Sequence, residues 1–564
     1  MTRFNRPGSR TATQSPVSSA KKHGLYTHEG APGYKRDPRG ELFMLGVGRF
    51  YGEQTFYDGA HDGAIRFRVL VHDVAKLDPA WLAQFLEWLR SEANIRTAAI
   101  VGAVEYVRAM QQPEAAGAYA RACSNGHTAR AVVRSVLRRA DEPGEMIAYY
   151  RSRYGRSIPI AVKRGIADAL VGYGPDRPPL YSEYSMLKYD TASHGYRFGD
   201  VIDTVCPATT HPEVRGTSLG SLFEHAIDRR HGRDYVGGSA LYGMTFPMLH
   251  MNAVVRSQAD ANPRVLLEPR RLKAAGLTWE DALSLAGKRI GHKELWESLI
   301  DADALGYMAL IRNLRNFDEA SVSNQHARKV ADIIANPERV SASRQLPFRF
   351  YSAYRAAPSL RWGQALEEAL EASTANIPKL SGRTLVLVDT SSSMTWTRTS
   401  ARSTMPLSEV AALFGVALAK RAARVDLYGF ADEVFRHELA YGGSVLAQTK
   451  QFTSRFGEAG GGTRVAKAMT QTYAGHDRVV ILSDMQTVNQ QHYLSRHIIG
   501  DVTTAVPQDV PVYAWNLAGH EASMMPTGSG NRHEFGGFSD SAFSLMQTIE
   551  AGRDARWPWE ASKG

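Results

Sequence analysis

The chain has 564 residues, 43% of them hydrophobic, and a formal net charge of +10. That length exceeds what a single core fills, so two or more domains are expected; no run approaches the roughly 18 apolar residues of a membrane span, and the opening MTRFNRPGSRTATQSPVSSAKKHG lacks the apolar stretch of a secretory signal, so the sequence reads as soluble and cytoplasmic. Two distant cysteines, Cys123 and Cys206, argue against a disulfide framework or a thiolate zinc site, while the positive excess favours polyanions such as nucleic acid, although an unspecialised basic surface gives the same total.

Residues 1–36 mix Ser, Thr, Pro, Gly and scattered Lys and Arg, with too little apolar material to offset the entropy of ordering them, and read as a flexible basic tail. Residues 37–375 carry helical periodicity. In DPAWLAQFLEWLR, Asp78 is a plausible N-cap, Pro79 suits the first turn, and Leu82, Phe85, Leu86 and Leu89 recur at helix spacing. IRTAAIVGAVEYVRAM, HTARAVVRSVLRRA, PIAVKRGIADALVG, GSLFEHAIDRRHG, TWEDALSLAG and DADALGYMALIRNLRNF follow, separated by short joints, as an irregular helical solenoid requires. Residues 234–268, rich in Gly, Pro and Met, interrupt the pattern and read as an inserted loop. Near ASTANIPKLSGR the composition changes, and from 376 to 564 strand-like runs (TLVLV, RVDLYGF, RVVILSD, VPVYAWNL) alternate with helix-like ones, the pattern of a mostly parallel sheet covered on both faces.

In such sheets ligands gather outside the carboxyl ends of the strands. Asp389 stands there, after TLVLV, and Asp484 ends RVVILSD. Asp389, Ser391 and Ser393 form an Asp-x-Ser-x-Ser pattern, and the glycines of GEAGGGTRVAKAM deliver Thr463 as a helix begins. This all-oxygen set suits a hard divalent cation, most simply Mg2+, and two carboxylates leave the metal electrophilic enough to recruit an external carboxylate or phosphate. Serines that merely cap a helix would look the same in isolation; Thr463 and Asp484, in the right chain order and in matching strand and loop contexts, bring the set to five and favour the metal. No His or Glu stands beside the motif as a general base, and no Walker-type loop or nucleophile elbow is evident, so binding rather than catalysis is expected.

The constellation resembles the metal-ion-dependent adhesion site of von Willebrand factor A domains. The resemblance implies that Ser391, Ser393 and Thr463 ligate the metal directly while Asp389 and Asp484 act largely through water. The preceding helices add a second likeness: YMALIRNLRNF, RQLPFRFYSAY and KRGIADAL, with SDMQT and GGFSD in the C-terminal half, resemble the TROVE module and A domain of the Ro autoantigen family, over about Glu41 to Glu550 and in the manner of a bacterial or phage member. That resemblance implies an all-α, HEAT-like helical-repeat ring (37–375) followed by a doubly wound α/β A domain (376–564), acting as a monomer. It also implies single-stranded 3′ ends of misfolded or immature RNAs in the hole, structured Y-like RNAs outside, and a tethered 3′ exoribonuclease such as polynucleotide phosphorylase.

Several basic residues are compatible with that role. Arg130, Arg134 and Arg138 recur every four residues, a guanidinium stripe able to follow phosphates or simply to face solvent. Lys163 and Arg164 lie in KRGIADAL; Lys188, beside Tyr189, matches a family Lys-Tyr pair whose lysine contacts RNA, and Arg197 lies nearby. Where the family places an RNA-contacting histidine before a proline, this chain reads DTVCPATTHP, so His211 is either its displaced substitute or an ordinary loop histidine. The expected protein is thus a non-enzymatic RNA-binding ring; the alternative is a scaffold whose A-domain metal captures an acidic residue of a protein partner. A metal-dependent nuclease lacks the acid-base groups it would need.

Overall fold

Asp78 ends one helix and starts the next. It follows Ala60–Leu77 and its Oδ1 accepts from Trp81 N at 3.1 Å, capping Pro79–Ser91, whose first residue has no N–H to leave unsatisfied. Leu82, Phe85, Leu86 and Leu89 are fully buried on the face their spacing predicts. This is a computed structural model, and it describes residues 13–191, 195–233, 244–375, 377–440, 442–488, 502–528, 530–539 and 543–561. Helices succeed one another from Pro38–Gly48 to Leu360–Ser373, and the large sheet begins at Leu380.

That sheet has the order β5-β4-β3-β6-β7-β9, with β3 Leu380–Asp389, β4 Ala422–Phe430, β5 Val434–His437, β6 Arg478–Ser483, β7 Val512–Asn516 and β9 Arg532–Gly536. All pairings are parallel except β4 with β5. The chain moves outward from β3 to β4 and then, from β6, outward the other way, so the order reverses between β3 and β6, and their carboxyl ends flank a crevice.

The helical run leaves the sheet domain and returns to it. Its first helix, Pro38–Gly48, packs on β9, and Phe348–Ala356 packs on Leu407–Arg421 of the sheet domain. Between these ends, Asn94 Nδ2 donates to Arg344 O at 3.2 Å and the Arg344 guanidinium donates to Ser91 O, joining early helices to late ones. Trp557 and Trp559, near the C-terminus, pack among Phe43, Trp81, Phe85 and Trp88 of the first helices. The helical ring plus A-type sheet domain expected from sequence is the architecture found.

Two expectations are corrected. Residues 13–36 are not a free tail, although 1–12 lie outside the described residues. Strands β1 (Leu25–Tyr26) and β2 (Pro32–Lys35) form a small sheet with β8 (Ala522–Ser523), and Arg36, fully buried, meets Glu534 on β9 through Nε to Oε2 at 2.8 Å and Nη2 to Oε1 at 2.5 Å. Low apolar content does not preclude order where a partner nearly five hundred residues away supplies ladder bonds and a buried counter-ion. Likewise the segment read as an inserted loop is helical where described: Pro247–Ala261 and a 3-10 turn at Pro263–Leu267, with Leu249, Val255, Ala259 and Leu266 buried; 234–243 lie outside the described residues. Its Pro and Met residues hide a helix started by Pro247 at the first position.

Candidate functional site: an oxygen-lined crevice and a basic helical face

All five residues of the predicted oxygen cluster are buried at the switch in strand order. Asp389 ends β3; its Oδ1 accepts from Ser391 N at 2.9 Å and its Oδ2 from Ser483 Oγ, on the neighbouring β6, at 2.5 Å. Ser391 Oγ and Ser393 Oγ stand 3.2 Å apart at the start of the short helix Ser392–Trp396. Asp484 follows β6, and Gln486 N donates to its Oδ1 at 3.1 Å because Met485 between them takes a left-handed φ of 65°. A buried non-glycine residue in that region is held there by its surroundings, and such strain concentrates at functional sites.

The glycine loop before Thr463 is fixed from both sides. Gly461 O accepts from Ser392 N at 2.9 Å, and Thr463 O accepts from Val488 N at 2.8 Å and Thr487 Oγ1 at 3.1 Å. A Cβ on Gly461 would stand 2.6 Å from Ser392 Oγ, so a larger residue there would displace that hydroxyl. Asp432, which the sequence did not single out, accepts from Gly461 N and Gly462 N, both at 2.9 Å, and these bonds hold its carboxyl below the ordinary range. Burial pushes Asp389 up to about 6; burial and then the charge of Asp389 push Asp484 up to about 7. Two buried carboxylates sharing a pocket with hydroxyls are an arrangement a divalent cation relieves.

The N-terminal segment crosses the mouth of this crevice. Thr27 Oγ1 donates to Thr487 O at 2.7 Å, His28 N to Gln486 Oε1 at 2.8 Å, and Tyr57 Oη to Glu29 Oε1 at 2.6 Å; Tyr57 also reaches Ser393. Glu29 is close enough to raise the Asp484 pKa further. Phe56 and Trp396, 50% and 71% exposed, stand beside it, Phe56 N donating to Thr397 Oγ1 at 2.9 Å.

Of the predicted basic residues, Arg130 and Arg134 fall on Ala129–Val136, Lys163 and Arg164 on Ile160–Val171, which packs against it, and Lys188 on Glu183–Tyr189, while Arg138, Arg197 and His211 lie at helix ends and turns. The three-arginine stripe is corrected: the helix stops at Val136, and Arg138 lies past its end, half-buried, its pKa lowered to about 10 by burial and then by Arg177. Arg130 and Arg134 do not project as a free row either. Arg130 grips Asp168 through Nε–Oδ2 at 2.7 Å and Nη2–Oδ1 at 2.5 Å, and Arg134 lies 3.6 Å from the same carboxylate. His211 joins them, its Nε2 2.9 Å from Asp168 Oδ1 and its Nδ1 2.9 Å from Glu213. Asp168 is thus the pivot, and it is the only acid in KRGIADAL, a signal the sequence offered.

Lys163 and Arg164 sit on the adjoining helix, Arg164 exposed, with no ion pair between either and the described residues. Lys188 lies over Tyr189 at 5.2 Å and Tyr184 at 5.7 Å, and Tyr184 is 47% exposed. Arg197 is engaged with Asp190, Nη2 to Oδ2 at 3.0 Å. Arg134 and Arg177 cover Tyr173 at 4.7 and 5.5 Å. Cations and tyrosine rings thus stand together in two groups, Arg134 and Arg177 on Tyr173 and Lys188 on Tyr184 and Tyr189, a composition able to track phosphates and stack unpaired bases.

The TROVE domain model matches residues 239–405. Telomerase protein component 1 from Rattus norvegicus and from Mus musculus is 42% and 40% identical to this chain over 77 residues, 14% of this chain in each case. The chain spans about 3% of the length of those relatives. The crystal structure of the Deinococcus radiodurans Ro (RSR) protein superposes with a TM-score of 0.58 at 16% identity, covering 92% of this chain and 100% of that one, a likeness of fold.

Proposed function

We propose that the chain is a member of the Ro autoantigen family, a reading its TROVE segment and ring-plus-sheet fold support, and that it binds RNA through basic helical residues while the oxygen-lined crevice holds a divalent cation for a separate interaction. The observation that carries the RNA reading is the pairing of cations with tyrosine rings, Arg134 on Tyr173 and Lys188 on Tyr184 and Tyr189, together with Lys163 and Arg164, which make no ion pair with the described residues and are left to meet phosphates. Single-stranded 3′ ends are the cargo that suits it, since exposed bases can stack where duplex bases cannot. Structured Y-like RNA on the outer surface, and an exoribonuclease brought to the RNA, complete the proposal. The chain's part is to bind and present.

At the crevice, Ser391, Ser393 and Thr463 would offer hydroxyls and Asp389 and Asp484 water-bridged carboxylates to Mg2+, which supplies a positive centre for an acidic ligand. A protein-interaction role for this mouth is favoured by one specific feature, the exposed Phe56 and Trp396 at its rim. The two roles occupy different surfaces. The experiment is filter binding of a hairpin with a single-stranded 3′ tail at low and high salt, for the wild type, Lys163→Glu/Arg164→Glu and Asp389→Ala. Loss of affinity with salt and with the double charge reversal, but not with Asp389→Ala, supports the reading; negligible binding at low salt ends it.

A further inference from the structure

His28, Asp58 and His520 come from three remote parts of the chain: the link between β1 and β2, the loop joining the first two long helices, and the loop after β7. One donor atom of each lies within 4.8 Å of the other two. His28 Nε2 is 3.5 Å from Asp58 Oδ1, and His520 Nδ1 is 3.0 Å from Asp58 Oδ2. The first separation is too long for a good direct hydrogen bond. It matches the roughly 3.4 Å between two donors that share one ion at bonds of about 2.0–2.2 Å in a tetrahedral site.

The surroundings orient these groups. Arg49 Nη1 holds Asp58 Oδ2 at 3.1 Å and Arg66 Nη1 approaches it at 3.9 Å, leaving Oδ1 turned to His28. The Tyr57 ring stacks on His28 at 4.8 Å, with 5° between planes, and meets His520 edge-on at 5.6 Å. His520 is buried, whereas the His28 side chain is 43% exposed, which gives an ion a way in.

We propose that His28, Asp58 and His520 form a second metal site, for a borderline transition dication such as Zn2+, with a position open to water. The donor set decides the class of ion. Hard cations such as Mg2+ depend on oxygen and negative charge, and the single carboxylate here is already balanced by two guanidinium groups; two imidazoles favour zinc-like ions. The ion staples the N-terminal segment and the first helical loop to the sheet domain, beside the crevice mouth, since Glu29 follows His28 and Tyr57 precedes Asp58. The proposal does not depend on the RNA reading or on the oxygen-lined site.

The test is calorimetric titration of Zn2+ into the full chain, stripped with chelator and then saturated with Mg2+, alongside visible absorption on Co2+ addition. One equivalent of Zn2+ is expected for the wild type, with affinity reduced at least about tenfold in His28→Ala, whose exposed side chain can be removed without opening the core. Asp389→Ala should retain the Zn2+ equivalent. Equal binding by the wild type and His28→Ala, no bound equivalent, or loss of the equivalent in Asp389→Ala would each overturn the proposal; in the last case the ion has gone to the other site. Circular dichroism of each variant establishes that it is folded.

Discussion

Arg130 meets Asp168 in a two-pronged ion pair, Nε to Oδ2 at 2.7 Å and Nη2 to Oδ1 at 2.5 Å, across two packed helices. The carboxylate is buried while the guanidinium is 40% exposed, so the acid end of the pair bears the larger cost of separation. Because Arg134 and His211 share the same carboxylate, Asp168 gathers two guanidinium groups and an imidazole around one buried acid.

Replacing Asp168 by Asn should therefore lower stability by roughly 1–3 kcal/mol, the discount for the exposed Arg130 included. Urea unfolding of the variant measures it. RNA affinity should also change, because the cations lose their fixed spacing; an unchanged midpoint and unchanged affinity would contradict the pivot.

Charge reversal at Lys163 and Arg164 should weaken RNA binding by about tenfold or more and flatten its salt dependence, since each phosphate contact contributes to the slope. Reversal of Lys450, an exposed cation on the sheet domain, is the control and should leave both nearly unchanged. Affinities measured across a salt series decide between a localised face and a diffuse positive surface.

The buried acids of the crevice set a pH dependence. Asp389 and Asp484 are raised to about 6 and about 7 from an ordinary value of 3.8. Between those values the folded protein holds more protons than the unfolded chain, so their contribution to stability falls as pH rises from about 4 to about 7. A divalent ion favours the ionised pair, so added Mg2+ should raise the melting temperature more at about pH 7.5 than at about pH 5.5, and Asp389→Ala should abolish that difference. Melting curves at both pH values, with and without Mg2+, check it; a Mg2+ effect independent of pH would count against the site.

Gly48 is where the first helix touches the sheet domain. A Cβ there would stand 2.9 Å from Gly519 N and 3.2 Å from Gly519 Cα, and backbone cannot step aside as a side chain can. Gly48→Val should cost about 1–3 kcal/mol and loosen the closure of the ring, seen as a lower melting temperature and faster amide exchange in Pro38–Gly48.

Much of this was readable from local pattern. An aspartate directly after TLVLV must lie at a strand end, and a glycine run before Thr463 must make a close approach, so the crevice could be assembled from motifs that each span only a few residues. The helices of the ring were readable for the same reason, since helical periodicity repeats within one turn. Arg138 shows the limit of that reasoning: spacing of four assumes the helix continues, and here it ends two residues earlier. Nothing in the sequence marks that end.

The amino-acid sequence by itself determined the succession of most helices, the four central parallel strands, the oxygen cluster and the net positive charge, because these follow from neighbours in the chain. The tertiary structure alone decided that residues 13–36 are ordered, that Asp168 gathers Arg130, Arg134 and His211, and that His28, Asp58 and His520 meet. These are pairings across tens to hundreds of residues. Local propensity carries no information on them, because their free energy appears only when folding removes the groups from water and brings their partners alongside.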